Sequence, residues 1–222
     1  MNYFVLFLLI ALASWSVSAL LNHRFKQYSK VYLPLTGKEV AEKMLRDNGI
    51  TDVKVISTPG RLTDHYDPTS KTVNLSEGVY MSNNVAAAAV AAHECGHAIQ
   101  HQTKYIFMNI RAALVPFVNI SSYAGYFAIM LGCILGSLDL IWLGILAECV
   151  ILLFQLITLP VEFNASSRAL KILEKDNYLT KKELSSSKTV LTAAALTYVA
   201  SVAASLLQIA RLILIYGGRR DD

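Results

Sequence analysis

Apolar residues gather into four long runs, at about 3–21, 112–136, 140–159 and 191–216, with polar and charged residues between them. The first two runs carry no charged side chain. The third holds Glu148, and the fourth holds Arg211 near its end. A helix needs roughly 20 apolar residues to cross the hydrocarbon core of a bilayer, and each run is long enough. The pattern predicts a mainly α, multi-span membrane protein with about four transmembrane helices and a small cytoplasmic α+β domain. Ser16-Val17-Ser18-Ala19 loosely resembles a signal-peptide cleavage site, but no Lys or Arg precedes the run, and its apolar part is long for such a peptide. Residues 1–21 are therefore expected to be an uncleaved transmembrane anchor.

The polar stretch 22–111 carries shorter signals of both periods. Thr36 with Glu39 three residues later predicts a capping box opening a helix. Val40, Met44 and Leu45 form its apolar face, and Asn48-Gly49 stops it. Residues 53–56 alternate weakly as a strand, followed by a turn at Thr58-Pro59-Gly60. Residues 62–66 and 72–75 read as two strands around the turn Asp67-Pro68-Thr69-Ser70. Ser82 or Asn83 is expected to cap a helix that runs through the alanine-rich segment 85–92 and onward. Residues 112–160 then predict a transmembrane hairpin, 161–190 a second cytoplasmic segment, and 191–222 a last transmembrane helix with a short tail.

Composition agrees with this division: 54% of the 222 residues are hydrophobic, too many for an ordinary soluble domain. The formal net charge of +4 comes without a basic stripe interleaved with aromatics, so no nucleic-acid partner is expected. The lipid bilayer is the expected partner instead. Residues 22–111 hold 11 of the 20 Lys and Arg, residues 161–190 hold six, and the link between the second and third runs holds none. The positive-inside rule then places both charged regions in the cytoplasm and the N-terminus outside. Arg219 and Arg220 argue mildly against an outside C-terminus. Cys95, Cys133 and Cys149 form no CxxC pair, so neither a disulfide framework nor a cysteine zinc site is expected.

The alanine-rich helix runs into His93-Glu94-Cys95-Gly96-His97. Residues four apart share a helical face, so His93 and His97 can hold one ion. Imidazole suits zinc, and a catalytic zinc takes three protein ligands and keeps one position open for water. Glu94 is placed to act as general base on that water. Cys95 points away from the two histidines and reads as a packing residue. Gly96 is small enough to let another element approach. His101 lies one further step of four along the helix, but in zinc proteases the third ligand comes from a separate element. Glu162, just past the cytoplasmic end of the third run, is the best candidate, and Glu148 lies too deep in the apolar run to share a site with His97.

The segments Leu62-Thr63-Asp64-His65-Tyr66-Asp67-Pro68, Leu75-Ser76-Glu77, Ala91 through Gln100, and Leu159 through Ser166 together resemble the YugP-like family of membrane zinc metallopeptidases. The resemblance covers nearly the whole chain. More distantly, the layout is similar to membrane proteases of the CAAX-processing and HtpX type, in which a helical HExxH motif is followed by a glutamate ligand. The resemblance implies a zincin-like domain, His93, His97 and Glu162 as ligands, and Glu94 as base. An endopeptidase of this kind is expected to hold one zinc ion per chain and to take a polypeptide substrate, membrane proteins among them. In the distant relatives an aspartate lies four residues beyond the ligand glutamate. Here that position is Ser166, so the contact behind the ligands must come from another group, with Asn164 and Ser166 as candidates.

Other residues leave alternatives open. The strand at 72–75 is either an edge that holds an extended substrate or part of a plain hairpin. His65 and Tyr66 either approach the ion and its oxyanion or serve the fold. Arg168 either binds a carboxylate or oxyanion or marks the cytoplasmic side. Gly125, Gly132 and Gly136 suit close helix packing. A zinc endopeptidase is the leading reading. The alternatives are a non-catalytic scaffold, with a structural metal closed by His101 or His65, and a metal-linked transporter.

Overall fold

A computed structural model describes residues 3–175 and 178–219. In chain order the elements are α1 (Tyr3–Tyr28), α2 (Gly37–Asp47), β1 (Lys54–Thr58), β2 (His65–Asp67), β3 (Thr72–Ser76), α3 (Glu77–Tyr80), α4 (Val85–Gln102), α5 (Ile106–Leu135), α6 (Leu138–Lys175) and α7 (Lys181–Tyr216), closed by a 3-10 turn at Gly217–Arg219. The protein is mainly helical with one small mixed sheet. Three described helices, α5, α6 and α7, are long and apolar enough to cross a membrane. Arg220 lies outside the described residues.

Contacts group the chain into two units. One holds residues up to 17, 109–159 and from 197 onward. Within it, Gly125 and Gly132 let helices meet closely: a Cβ on either would stand 2.7 Å from a side-chain carbon of Ala147 or Ile141. Gly136 does something else. Its φ is +67° and nothing lies within 4 Å of its would-be Cβ, so it ends α5 in a left-handed conformation instead of packing. Ile141, Ile145, Ile209 and Leu212 form a buried apolar cluster in this unit.

The other unit holds residues 18–108 and 160–196. Helix α2 begins with the expected capping box: the Thr36 hydroxyl accepts from the Glu39 backbone N–H at 3.2 Å, and the Glu39 carboxylate accepts from the Thr36 N–H at 2.8 Å. Its buried stripe is Val40, Ala41, Met44 and Leu45, which packs with α4. The alanines at 86–89, 91 and 92 are completely buried, so α4 has neighbours on several sides and runs through the centre of this unit. Its N-cap is Asn84, whose side chain accepts from the Ala87 N–H at 2.9 Å, rather than Ser82 or Asn83.

Two expectations about the sheet are corrected. The strand order is β1-β3-β2, so β3 is the central strand and not an edge. It pairs antiparallel with β2 and parallel with β1, from Lys54↔Thr72 to Thr58↔Ser76. Both of its ladders are occupied, which removes it as a docking edge for an extended peptide. The second correction concerns β2, which begins at His65 and not at residue 62. Leu62 has a φ of +59°, and the Thr63 hydroxyl donates to the Pro59 carbonyl at 3.1 Å. The Pro59-Gly60 turn thus continues through Thr63. Asp64 is also diverted, its carboxylate accepting from the Ser76 N–H at 2.7 Å.

The boundaries expected at 160/161 and 190/191 both fall inside unbroken helices, α6 and α7. Helix α6 passes through Pro160, whose ring nitrogen has no proton for the carbonyl four residues earlier. Beyond it, Val161, Ala165, Ala169 and Leu173 are each completely buried. They recur every four residues, which is the apolar stripe of a packed helix. That burial carries α6 well past the end of its apolar run.

Candidate metal centre

Helix α4 presents His93 and His97, and α6 presents Glu162. The His93 Nε2 lies 3.2 Å and the His97 Nε2 3.6 Å from the same Glu162 oxygen. The ligand atoms of all three residues lie within 4.8 Å of one another. Their side chains are 15%, 9% and 4% exposed, so the three donors converge with little competing water. Gly96 allows this meeting. A Cβ there would stand 2.5 Å from the Ala165 carbonyl oxygen, so only glycine lets α4 lie this close to α6 one residue from the motif's second histidine.

Each histidine is held from behind. The His93 Nδ1 hydrogen-bonds the Ser166 hydroxyl at 3.1 Å. The His97 Nδ1 donates to the Gln100 amide oxygen at 3.0 Å. The Gln100 side chain cannot be turned around, because its nitrogen donates to the Val161 carbonyl at 2.8 Å and to the Asn164 amide oxygen at 3.0 Å. The same Asn164 oxygen accepts from the Arg168 Nε at 2.7 Å. With a pure acceptor at Nδ1, neutral His97 carries its proton there, so its Nε2 lone pair is the one open to a metal. Two imidazole nitrogens and one carboxylate oxygen, with a fourth position left over, are the donor set of a catalytic zinc site. The residues present therefore fit a zinc ion.

Electrostatics in the cluster are strongly coupled. Burial pushes the Glu162 carboxyl up, but the hydrogen bond from His93 and the nearby His97 imidazole outweigh it and hold the carboxyl far below the usual range. Burial lowers His97, yet the Glu162 carboxylate 3.6 Å away and the nearby Glu94 leave it raised. Glu94 is buried, and burial raises its carboxyl despite the two histidines. Cys95 is fully buried, with its Sγ 3.6 Å from the Ala41 carbonyl, and burial raises its thiol well above the usual range. It packs, as the helical geometry suggested.

The other sequence candidates divide. Ser166 touches a ligand directly. Asn164 touches none but steadies Gln100, and Arg168 steadies Asn164 while lying 5.9 Å over the Tyr105 ring. His65 is exposed and bonds the Thr63 carbonyl at 2.7 Å. The Tyr66 hydroxyl bonds the His101 Nδ1 at 2.9 Å, which occupies both. Among the described residues, His65, Tyr66 and His101 stand outside the ligand cluster. Glu148 belongs to the other unit. Gln100 went unrecognised in the sequence, although its position three residues after His97 places both on one helical face.

Residues 3–217 match the family described as "Putative neutral zinc metallopeptidase". The chain is also 46% identical over 200 residues to the "Putative membrane protease YugP" of Bacillus subtilis (strain 168), an alignment covering 89% of each protein. No solved structure matches. With a convergent His-His-Glu cluster and a family match across nearly its whole length, the chain belongs to the family described as putative neutral zinc metallopeptidases.

Proposed function

We propose that the protein is a zinc-dependent endopeptidase embedded in the cell membrane, cleaving polypeptides at the cytoplasmic face. The observation that carries the reading is the cluster of His93, His97 and Glu162, with ligand atoms within 4.8 Å and Glu94 buried beside them. A zinc ion held by these three residues would supply an activated water and polarise the scissile carbonyl. Glu94 takes the proton of that water as its oxygen attacks the carbonyl carbon. Glu94 then passes the proton to the amide nitrogen as the C–N bond breaks, leaving a carboxylic acid and an amine. Its raised carboxyl suits this shuttle, since a base is most effective when its pKa lies nearer the working pH.

The membrane reading extends to four spans, with α1 as the first, the N-terminus outside and the cluster on the cytoplasmic side. Its support is the uncharged run 3–21 and the placement of 17 of the 20 Lys and Arg in residues 22–111 and 161–190. A closed structural site would need a fourth protein ligand, and among the described residues only three converge. The test uses the full chain in detergent, with Glu94→Gln as the variant and an unfolded fluorogenic protein as substrate. The variant is expected to retain one zinc per chain and to lose cleavage. Cleavage at the wild-type rate would sink the mechanism.

A further inference from the structure

A cavity of about 630 Å³ lies between α6 and α7, in the unit that carries the cluster. Ser166, which bonds His93, lines it, but none of His93, Glu94, His97 and Glu162 does. Ser166 holds the His93 Nδ1, the nitrogen on the far side of the ring from the ligand atom. The cavity therefore reaches the metal centre from behind. It is not the cleft through which a scissile bond would approach.

Its lining is graded. The two helices run antiparallel, so Glu174 and Lys181 mark one end and Phe163 and Ala195 the other. The distance between these levels is about 16 Å along α6 and about 21 Å along α7 at the helical rise per residue. Lys171, Lys181 and Lys188 supply three cations against the single acid Glu174, and Phe163, Leu170, Leu184 and Leu191 supply apolar wall. The apolar end is the one nearest the apolar runs, which end at 159 and begin at 191. A smaller cavity of about 310 Å³ on the other side of Lys188 adds Arg24.

We propose that the α6–α7 cavity binds an anionic phospholipid, with the phosphate on Lys188 and its neighbours Lys171 and Lys181, and an acyl chain along Phe163 and Leu191. Basic pockets between helices near the cytoplasmic boundary take such headgroups, and the apolar end accommodates what a free phosphate lacks. This rests on the membrane reading above and not on the peptidase reading. Bound lipid would press on Ser166 and so bear on the orientation of His93.

The three lysines are exposed, so they can be changed without opening the core. The full chain is placed in nanodiscs of phosphatidylcholine, and phosphatidylglycerol retention is measured by native mass spectrometry on release. The comparison is K171Q/K181Q/K188Q against K175Q/K182Q, lysines on the same helices that do not line the cavity. Phosphatidylglycerol is expected to be retained over phosphatidylcholine. The triple variant should bind it roughly a hundredfold more weakly, while the control pair changes little. Equal retention of both lipids, or an equal loss in the control pair, overturns the proposal. So does full competition by inorganic phosphate, which makes the acyl wall irrelevant, or by an acidic apolar peptide, which makes the site one for polypeptide. Cleavage by the wild-type protein is read separately, so failure of the peptidase reading leaves this result intact.

Discussion

Replacing Gln100 by methionine tests how the metal centre is built. Gln100 is fully buried and makes three hydrogen bonds at 2.8–3.0 Å. Methionine keeps the length and volume of the side chain and removes all three. The Val161 carbonyl lies within helix α6, and the Asn164 oxygen keeps Arg168, so the group left most exposed to the loss is the buried His97 Nδ1–H. An unsatisfied buried donor costs about 1–3 kcal/mol. If that cost falls on the metal-bound geometry, zinc affinity drops between roughly fivefold and 150-fold, at about 1.4 kcal/mol per decade. Loss of such a partner behind a ligand typically weakens metal binding about 10–100-fold, in the same range. The measurement is competition for zinc against a chromophoric chelator with the full chain in detergent, with circular dichroism as the control for folding. An affinity within about twofold of wild type, with helicity intact, would show that Gln100 does not orient His97.

Gly96→Ala should lower the melting temperature and weaken zinc binding, because the added Cβ meets the Ala165 carbonyl at 2.5 Å. Helix propensity alone favours alanine by about 1 kcal/mol, so a raised melting temperature would show that the overlap is relieved cheaply. The pH dependence of the zinc-free protein follows from three shifts in the cluster, those of Glu162, His97 and Glu94. Glu162 is held below its ordinary 4.5, so its contribution is present above that value and is lost as pH falls through the depressed one. His97 is raised above its ordinary 6.5, so its contribution is complete below that value and is lost as pH rises through the raised one. Glu94 is raised above its ordinary 4.5 and so works against stability as pH rises past that value. Chelated protein should therefore melt highest at the acid end of the window from 4.5 to 6.5, and the stabilisation by added zinc should grow above that window as the His97 proton stops competing. Scanning fluorimetry across pH reads both, and a zinc-free optimum above about pH 8 contradicts the coupling.

What the sequence disclosed divides by distance along the chain. The Thr36–Glu39 capping box and the spacing of His93 and His97 are each written within five residues, and each stands where local chemistry puts it. Glu162 lies 69 residues from His93 and was reached through the arrangement of spans, not through any spacing. The position of β3 could not be reached that way. The turn at Asp67 announced its pairing with β2, but nothing local announces a parallel strand, and β1 took the other edge. Gln100 was hidden for a similar reason. Its place beside His97 is local, but its orientation is set by Val161 and Asn164, more than 60 residues away.

The extension of α6 is written in the sequence by a weaker pattern than its apolar run. The apolar run stops at Leu159 and Pro160 follows, which reads as an end. The next signal is sparser: Val161, Ala165, Ala169 and Leu173, one buried position per four. That stripe determines how the metal centre is assembled. It seats α6 on α4 at Gly96, and Glu162 and Ser166, themselves four apart, then face the same histidine from one helix. One supplies an oxygen beside Nε2, and the other holds Nδ1. Ligand and ring support thus share a single register between two helices. A slip of one turn, about 5.4 Å, would exchange the carboxylate for the hydroxyl at the ligand position. Zinc binding should for that reason report on the packing of α4 against α6, and substitutions along the stripe should affect the metal centre without touching any ligand.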